Sequence, residues 1–243
     1  MLHENLRMAK HATAEQAIDD MTADADIASV DCVIIGAGVI GLACAREFAQ
    51  AGREVIVLDA EETHGTQTSS RNSEVLHAGL YYPPGSLRAR FCVEGRRRLV
   101  DYCIERNVPH RLCGKLIVAR DETELPRLDA LRAQAAACGA HSLRLWTRED
   151  VRAAEPALDV HAALWSPDTG IIDGGALMLA LRADAEAAGA NFVFRCPVRG
   201  IDAAGEGSEG AKVVVHVAGD SPMRLEASTD SGTATLESAH RHM

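Results

Sequence analysis

Apolar and polar positions follow two rhythms along the chain, and the boundary between them is sharp. Residues 31–60, DCVIIGAGVIGLACAREFAQAGREVIVLDA, open on the unbroken run Val33-Ile34-Ile35, pass through a Gly-rich turn, and continue with helically spaced apolar residues over 39–51. Gly52 stops that helix, and Val55-Ile56-Val57-Leu58 is a second unbroken run. Continuous apolar runs suit strands covered on both faces, so the stretch predicts a βαβ unit with parallel strands.

Downstream, Ser86 is placed to cap a helix whose residues Leu87, Phe91, Gly95, Leu99 and Cys103, with Cys92, Val100 and Ile104 beside them, form the predicted buried stripe. Arg88, Arg90, Arg96, Arg97 and Arg98 decorate the rest: ordinarily a solvated face, otherwise one suited to an acidic domain, an anionic membrane surface or an acidic substrate. CGKLIVA (113–119) predicts a strand, 122–138 an Ala-rich helix, and TREDVRAAEP a short helix closed by Pro156. AALWSPDTGIID (162–173) predicts a strand, a turn and a return strand, and 175–188 a helix stopped by Gly189. NFVFR, KVVVHV and MRLEA then predict short strands, with a Gly/Glu-rich hairpin between the first two. No internal repeat is present. Interleaved strands and helices make the fold class α/β, with an antiparallel portion in the second half.

Composition narrows this only slightly. At 47% hydrophobic and 4% aromatic, the core must be aliphatic. Of the net charge of −10, residues 1–30 carry −4, residues 219–243 carry −2 and the body the remaining −4, so charge gives no sign of nucleic-acid binding. Seven scattered cysteines, none in a CxxC pair, argue against a disulfide framework or a zinc site and for free thiols in a reducing, cytoplasmic compartment. No apolar run reaches membrane-spanning length. Residues 1–30, too acidic for a transit peptide, read as a disordered or weakly helical extension, with Met21 an alternative start.

The chemistry starts at Gly36-Ala-Gly38-Val-Ile-Gly41. Alone, GxGxxG is a weak signal. Here it follows a strand, opens a helix and is answered by an acid, Asp59, at the end of the next strand. Gly36 permits the tight turn, Gly38 a close backbone approach to pyrophosphate, and Gly41 the packing of helix on strand, while Asp59 is placed for ribose hydroxyls. The fingerprint does not separate NAD from FAD. The next segment, TSSRNSEVLHAGLYYPPGS, crowds hydroxyls, an arginine, an asparagine and a histidine into a span that suits neither helix nor strand.

With GKLIVA and SPDTGIID, the stretch TSSRNSEVLHAGLYYPPGSLRARFC resembles FAD-dependent oxidoreductases of the D-amino-acid-oxidase superfamily, and within it the L-2-hydroxyglutarate dehydrogenase/oxidase family, over residues 31–227. A glycerol-3-phosphate dehydrogenase has a related Ser-Ser-Arg stretch but does not continue as Tyr-Tyr-Pro-Pro-Gly-Ser. The resemblance implies a Rossmann-like FAD-binding part (31–110 and 174–227) interleaved with an α+β substrate part (111–173). It implies that Ser69, Ser70, Arg71, Asn72 and Ser73 donate to phosphate and ribityl oxygens of FAD, and that Gly79 lets the backbone pass closely. It implies, too, that His77 approaches the flavin ring and substrate as the base, for which a side chain with an ordinary pKa near neutrality is suited; otherwise His77 is a loop residue capping a carbonyl.

The implied reaction is oxidation of a 2-hydroxy acid, L-2-hydroxyglutarate, to 2-oxoglutarate by hydride transfer to flavin. The electron acceptor is oxygen or a quinone, and contact with a membrane is peripheral. A dicarboxylate needs basic clamps, and Arg71 is the candidate. The family carries Glu more often than Asp where this chain has Asp59. It also continues beyond RLEA with an apolar strand and a segment closing over the flavin, so residues 228–243 read as a non-homologous tail and the chain as truncated. The alternatives are an amino-acid or glycerol-3-phosphate oxidoreductase, or a non-catalytic nucleotide-binding fragment. His110, His161 and His216 read as structural, His240 and His242 as tail, Asp168 and Asp173 as turn residues, and Trp146 and Trp165 as core anchors, with no metal site.

Overall fold

The computed structural model describes residues 27–203, 212–217 and 224–228. The chain divides into two compact units, one taking it up to Thr66 and from Leu181 onward, the other Gln67–Ala180.

In the first unit, β1 (Ile27–Val30) precedes β2 (Cys32–Ile35), α1 (Val39–Gln50) and β3 (Val55–Leu58). The βαβ unit forms as expected: β2 and β3 are parallel, with Cys32 opposite Val55 and Ile35 opposite Leu58. Leu42, Ala45 and Ala49 give α1 its buried stripe, and Gly52 turns the chain at φ +79°. β10 (Asn191–Val193) pairs in parallel with the other edge of β3, giving the order β10-β3-β2. Only the central strand is covered as predicted: Val55, Val57 and Leu58 are fully buried, while β2 has one partner in this sheet and Ile35 is 47% exposed.

A second sheet has the order β1-β13-β12-β11, with β11 (Val198–Ala203), β12 (Lys212–Val217) and β13 (Arg224–Ser228) antiparallel and β1 parallel to β13. Two expectations change. Ile27–Val30, assigned to the N-terminal extension, is a strand. The hairpin partner of KVVVHV is β11, because NFV joins the parallel sheet. β11 escaped the pattern because its register shifts between Val198 and Gly200, and a bulge breaks the alternation that marks a strand. Leu58, Cys196, Val215 and Val217 share one core, against which Val33, Ile56 and Val193 pack. Of the expected tail 228–243, Ser228 closes β13, while the rest, the first twenty-six residues and the Gly/Glu-rich stretch 204–211 lie outside the described residues.

The second unit holds two small antiparallel sheets. One has the order β4-β9-β5, with β4 (Val75–Leu76), β5 (His110–Arg111) and β9 (Gly170–Ile172); the other has β6-β8-β7, with β6 (Lys115–Ala119), β7 (Arg144–Thr147) and β8 (Ala162–Ser166). The predicted strand and return strand exist but do not pair with each other. The turn at 167–169 hands the chain from one sheet to the other, held by Ser166 Oγ and Thr169 Oγ1 at 3.0 Å.

The helices are α2 (Leu87–Glu105), α3 (Leu125–Ala137) and α4 (Arg148–Ala154), and α5 (Gly174–Ala187) contributes residues to both units. The Ser86 hydroxyl caps α2 through the Ala89 N–H at 3.1 Å, and Thr147 with Asp150 forms a capping box on α4. The predicted stripe is only partly the buried face of α2: its members Cys92, Leu99 and Val100 are half-buried and Cys103 is fully buried. Ala89 and Cys103 are buried, whereas Leu87 (65% exposed), Phe91 (58%) and Ile104 (63%) face solvent. Small residues let α2 pack closely, and Leu87 and Phe91 fall on the side opposite Ala89. Ala119, Leu128 and Leu164 form one core of this unit, and Ala78, Leu80, Ala135 and Ala140 another. No described helix is long and apolar enough to cross a membrane.

Candidate functional site

The Gly-rich turn joins β2 to α1 within the first unit. Gly36 stands at φ +100°, and its N–H donates to the Leu58 carbonyl at 2.7 Å, so the turn is tied to the end of β3. An L-residue in that region costs roughly 1–2 kcal/mol. Gly38 precedes α1 in an extended conformation; no side chain caps the helix there and no acid occupies its first turn. The positive end of the helix dipole is therefore not countered locally, which fits a pyrophosphate. Gly41 closes the turn from the helix side: a Cβ on it would lie 1.9 Å from the Gly36 carbonyl oxygen.

Asp59 does more than the sequence suggests. Its Oδ2 accepts the Ala37 N–H at 2.6 Å and its Oδ1 the Glu61 N–H at 2.8 Å. The Ala37 carbonyl accepts the Gly65 N–H at 3.0 Å, so the peptide groups on both sides of this fully buried alanine are fixed. A carboxylate has about four acceptor sites. Asp59 therefore buttresses the turn while keeping acceptor capacity to spare. The shorter Asp, where the resemblance expects Glu, sits at the right reach for that buttress.

A cluster behind this loop has no signature in the sequence pattern. Arg182 on α5 places its guanidinium 5.4 Å from the ring of Phe192 and 5.0 Å from that of Phe194, pairs with Glu186 at 2.8 Å, and approaches His64 Nδ1 at 3.4 Å. Burial and then the Arg182 charge hold His64 below the usual histidine range, with Glu186 opposing. The cluster anchors the loop after Asp59, and its members are brought together only by folding.

The segment following the loop belongs to the second unit. Thr68–Ser70 form one 3-10 turn. Ser70 Oγ donates to the Gln67 carbonyl at 2.9 Å, Asn72 Nδ2 to the Ser69 carbonyl at 2.6 Å, and Asn72 Oδ1 accepts the Glu74 N–H at 2.7 Å. Two of the five expected donors, Ser70 and Asn72, thus shape the segment itself. Arg71 and Ser73 are exposed.

Glu74, a residue the sequence did not single out, sits at φ +53°. Its carbonyl accepts the Ile172 N–H at 3.0 Å and its Oε1 the Gly174 N–H at 2.9 Å. With Asp173 Oδ1 accepting the Ala176 N–H at 2.8 Å, two carboxylates cap the start of α5. Glu74 thereby latches the segment just ahead of β4. His77 follows β4 with its ring exposed, while its carbonyl accepts the Cys92 thiol at 3.3 Å. The chain then dives inward: Ala78 and Leu80 are buried, and a Cβ on Gly79 (φ +82°) would lie 2.7 Å from Val93 Cγ2. The backbone on either side of His77 is therefore fixed while its imidazole is presented to solvent. None of its ring nitrogens caps a carbonyl among the described residues.

The remaining candidates have structural partners. His110 Nδ1 lies 2.9 Å from the Val108 carbonyl, and His216 Nε2 2.7 Å from Asp202 Oδ2. Trp146 and Trp165 stack with ring centroids 4.8 Å apart. Asp168 is more than a turn residue: it accepts the Ser142 hydroxyl at 2.6 Å and pairs with Arg96 at 3.3 Å, which takes one arginine of α2 off the solvated face. All seven cysteines are free thiols.

Comparison with known proteins agrees with this geometry. Residues 31–229 match the family described as FAD dependent oxidoreductase. The chain is 51% identical over 152 residues to the mitochondrial L-2-hydroxyglutarate dehydrogenase of Arabidopsis thaliana, covering 63% of this chain and 32% of that protein. It is 37% identical over 184 residues to the human enzyme of the same name, covering 75% and 40%. It thus spans well under half the length of these relatives.

Solved structures with the same fold include the FAD-bound L-alpha-glycerophosphate oxidase of Mycoplasma pneumoniae (TM-score 0.74, 23% identity, 82% of this chain and 53% of that one). Glycine oxidase of Geobacillus kaustophilus is another (TM-score 0.70, 21% identity, 82% and 54%). The Gly-rich turn, the acid that braces it and a family match running through nearly the whole described chain agree: this chain belongs to the FAD-dependent oxidoreductases.

Proposed function

We propose that the chain is the FAD-binding and hydroxy-acid-binding portion of an L-2-hydroxyglutarate dehydrogenase, which oxidises L-2-hydroxyglutarate to 2-oxoglutarate. The observation that carries the substrate is the 51% identity to the plant enzyme of that name. What supports the cofactor is the turn in which Gly36 leaves open space, Gly38 leads into α1 with no side-chain cap, Gly41 packs against the Gly36 carbonyl, and Asp59 keeps acceptor sites for ribose. Ser69, Ser70, Arg71, Asn72 and Ser73 contribute backbone and side-chain donors to phosphate and ribityl oxygens. FAD, when bound, supplies the hydride acceptor. His77 takes the substrate's hydroxyl proton, since its ring is exposed on a backbone fixed on both sides. Arg71, exposed and without an ion pair among the described residues, is available to an anionic group. Electrons pass on to oxygen or a quinone. The exposed arginines of α2 around Leu87 and Phe91 support peripheral contact with an anionic membrane surface, which co-sedimentation with anionic vesicles tests.

FAD titration of the parent chain and Gly38→Val tests the cofactor assignment, with equal affinity counting against it. Anaerobic addition of L-2-hydroxyglutarate to the FAD-loaded protein tests the rest. The expected result is bleaching of the flavin spectrum by this acid and not by glycine or glycerol 3-phosphate. In His77→Ala the bleaching rate is expected to fall by about 10²–10⁴ while FAD is retained. Bleaching by an amino acid instead would replace the substrate assignment.

A further inference from the structure

Lys115 is an unusual residue for this chain, which carries only three lysines against twenty-two arginines. The structure fixes this one closely. Gly114, at φ +75°, leaves the place of a Cβ to the Trp165 ring, whose nearest atom would be 1.8 Å away, and its N–H donates to the Thr169 carbonyl at 2.8 Å. Lys115 then opens β6 opposite Ser166 of β8. Its Nζ lies 4.6 Å from the ring centroid of Tyr81. The side chain is half-buried and has no carboxylate partner among the described residues. A ring face compensates an ammonium only in part for lost hydration, so the position favours an incoming anion.

The same turn relates Lys115 to His77. Ser166 starts it opposite Lys115, and Gly170 ends it opposite Leu76, the residue before His77. Ser166 and Thr169 are both buried and bonded to each other, so the turn is a rigid spacer. Tyr81 lies four residues beyond His77 on the segment pinned by Ala78, Gly79 and Leu80. An imidazole and an ammonium with no carboxylate partner among the described residues, the latter on an aromatic wall, are thus mounted on one framework.

We propose that Lys115, backed by Tyr81, binds a carboxylate of the hydroxy-acid substrate, a role that rests on the hydroxy-acid reading above. The experiment follows acetylation of the FAD-loaded chain by an N-hydroxysuccinimide ester, read by peptide mass spectrometry, with Lys10 and Lys212 as internal references. At tenfold excess over its dissociation constant, L-2-hydroxyglutarate or glutarate should slow Lys115 acetylation about tenfold, as occupancy requires, and leave Lys10 and Lys212 unchanged. Lys115→Met, which keeps the aliphatic stem, should retain FAD affinity and lose the thermal shift given by L-2-hydroxyglutarate. Unchanged Lys115 labelling, equal slowing of all three lysines, or an undiminished thermal shift in Lys115→Met each overturns the assignment. Failure of the two readings can be told apart: protection of Lys115 without flavin bleaching counts against the dehydrogenase, and bleaching without protection counts against Lys115.

Discussion

Replacing Gly41 by alanine is the sharpest test of the turn, because two effects of opposite sign meet there. In an isolated helix the change is favourable by about 1 kcal/mol, since glycine costs the helix backbone entropy. In this fold the new Cβ would lie 1.9 Å from the Gly36 carbonyl oxygen and 3.1 Å from its carbon, where ordinary contact begins at 3.4 Å. Roughly 1.5 Å of movement is needed, and both partners are backbone, so no side chain can swing aside. Overpacking of this kind costs about 1–3 kcal/mol, and a backbone collision belongs at the upper end. The net loss is then about 2 kcal/mol, or roughly 4–8 °C in Tm for a chain of this length.

The movement also displaces Gly36 from the Leu58 carbonyl and shifts the Ala37 peptide that Asp59 and Gly65 hold. FAD affinity should accordingly fall, about tenfold for each 1.4 kcal/mol that the bound cofactor must supply to restore the turn. Thermal melts with and without FAD, together with a fluorescence titration, measure both quantities. A Gly41→Ala protein that melts no lower than the parent and binds FAD equally well would refute the close approach and the cofactor site built on it.

Glu74→Ala loses the cap on Gly174 and keeps the left-handed backbone, whereas Glu74→Gly loses the cap but relieves that backbone. The alanine variant should therefore be less stable than the glycine variant by about 1 kcal/mol, and its Tm the lowest of the three; an alanine variant that melts with or above the glycine variant would count against the left-handed backbone. His64 binds its proton less readily folded than unfolded, so the unfolded chain takes up more protons between the depressed folded value and the usual value of about 6.5. Stability is fully present above that usual value and declines as pH falls through it; His64→Gln should flatten this part of a Tm–pH profile, and an unchanged slope would count against the cluster. Burial raises the thiols of Cys103 and Cys196, while Cys113 is exposed. Iodoacetamide at neutral pH should therefore label Cys113 at least about tenfold faster than either, as peptide mapping would show.

The sequence by itself determined the local chemistry. Strand, Gly-rich turn, helix, strand and acid follow one another within thirty residues, so the βαβ unit and the roles of Gly36 and Gly41 were legible from contiguous signals. The cap at Ser86 was legible for the same reason. Tertiary structure decided whatever depends on which surfaces meet. Periodicity locates an apolar stripe on α2 that includes the buried Cys103, but cannot say that Ala89, off the stripe, is buried while Leu87 and Phe91, on it, face solvent. It finds strands at 162–166 and 170–172 but not that they serve different sheets, because partner choice is made by residues distant in sequence. It shows an acid at 59 without the Ala37 amide it braces, and a lysine at 115 without the tyrosine ring beneath it. Glu74 and Arg182 act through partners 100 and 118 residues away, and no local pattern can carry that pairing.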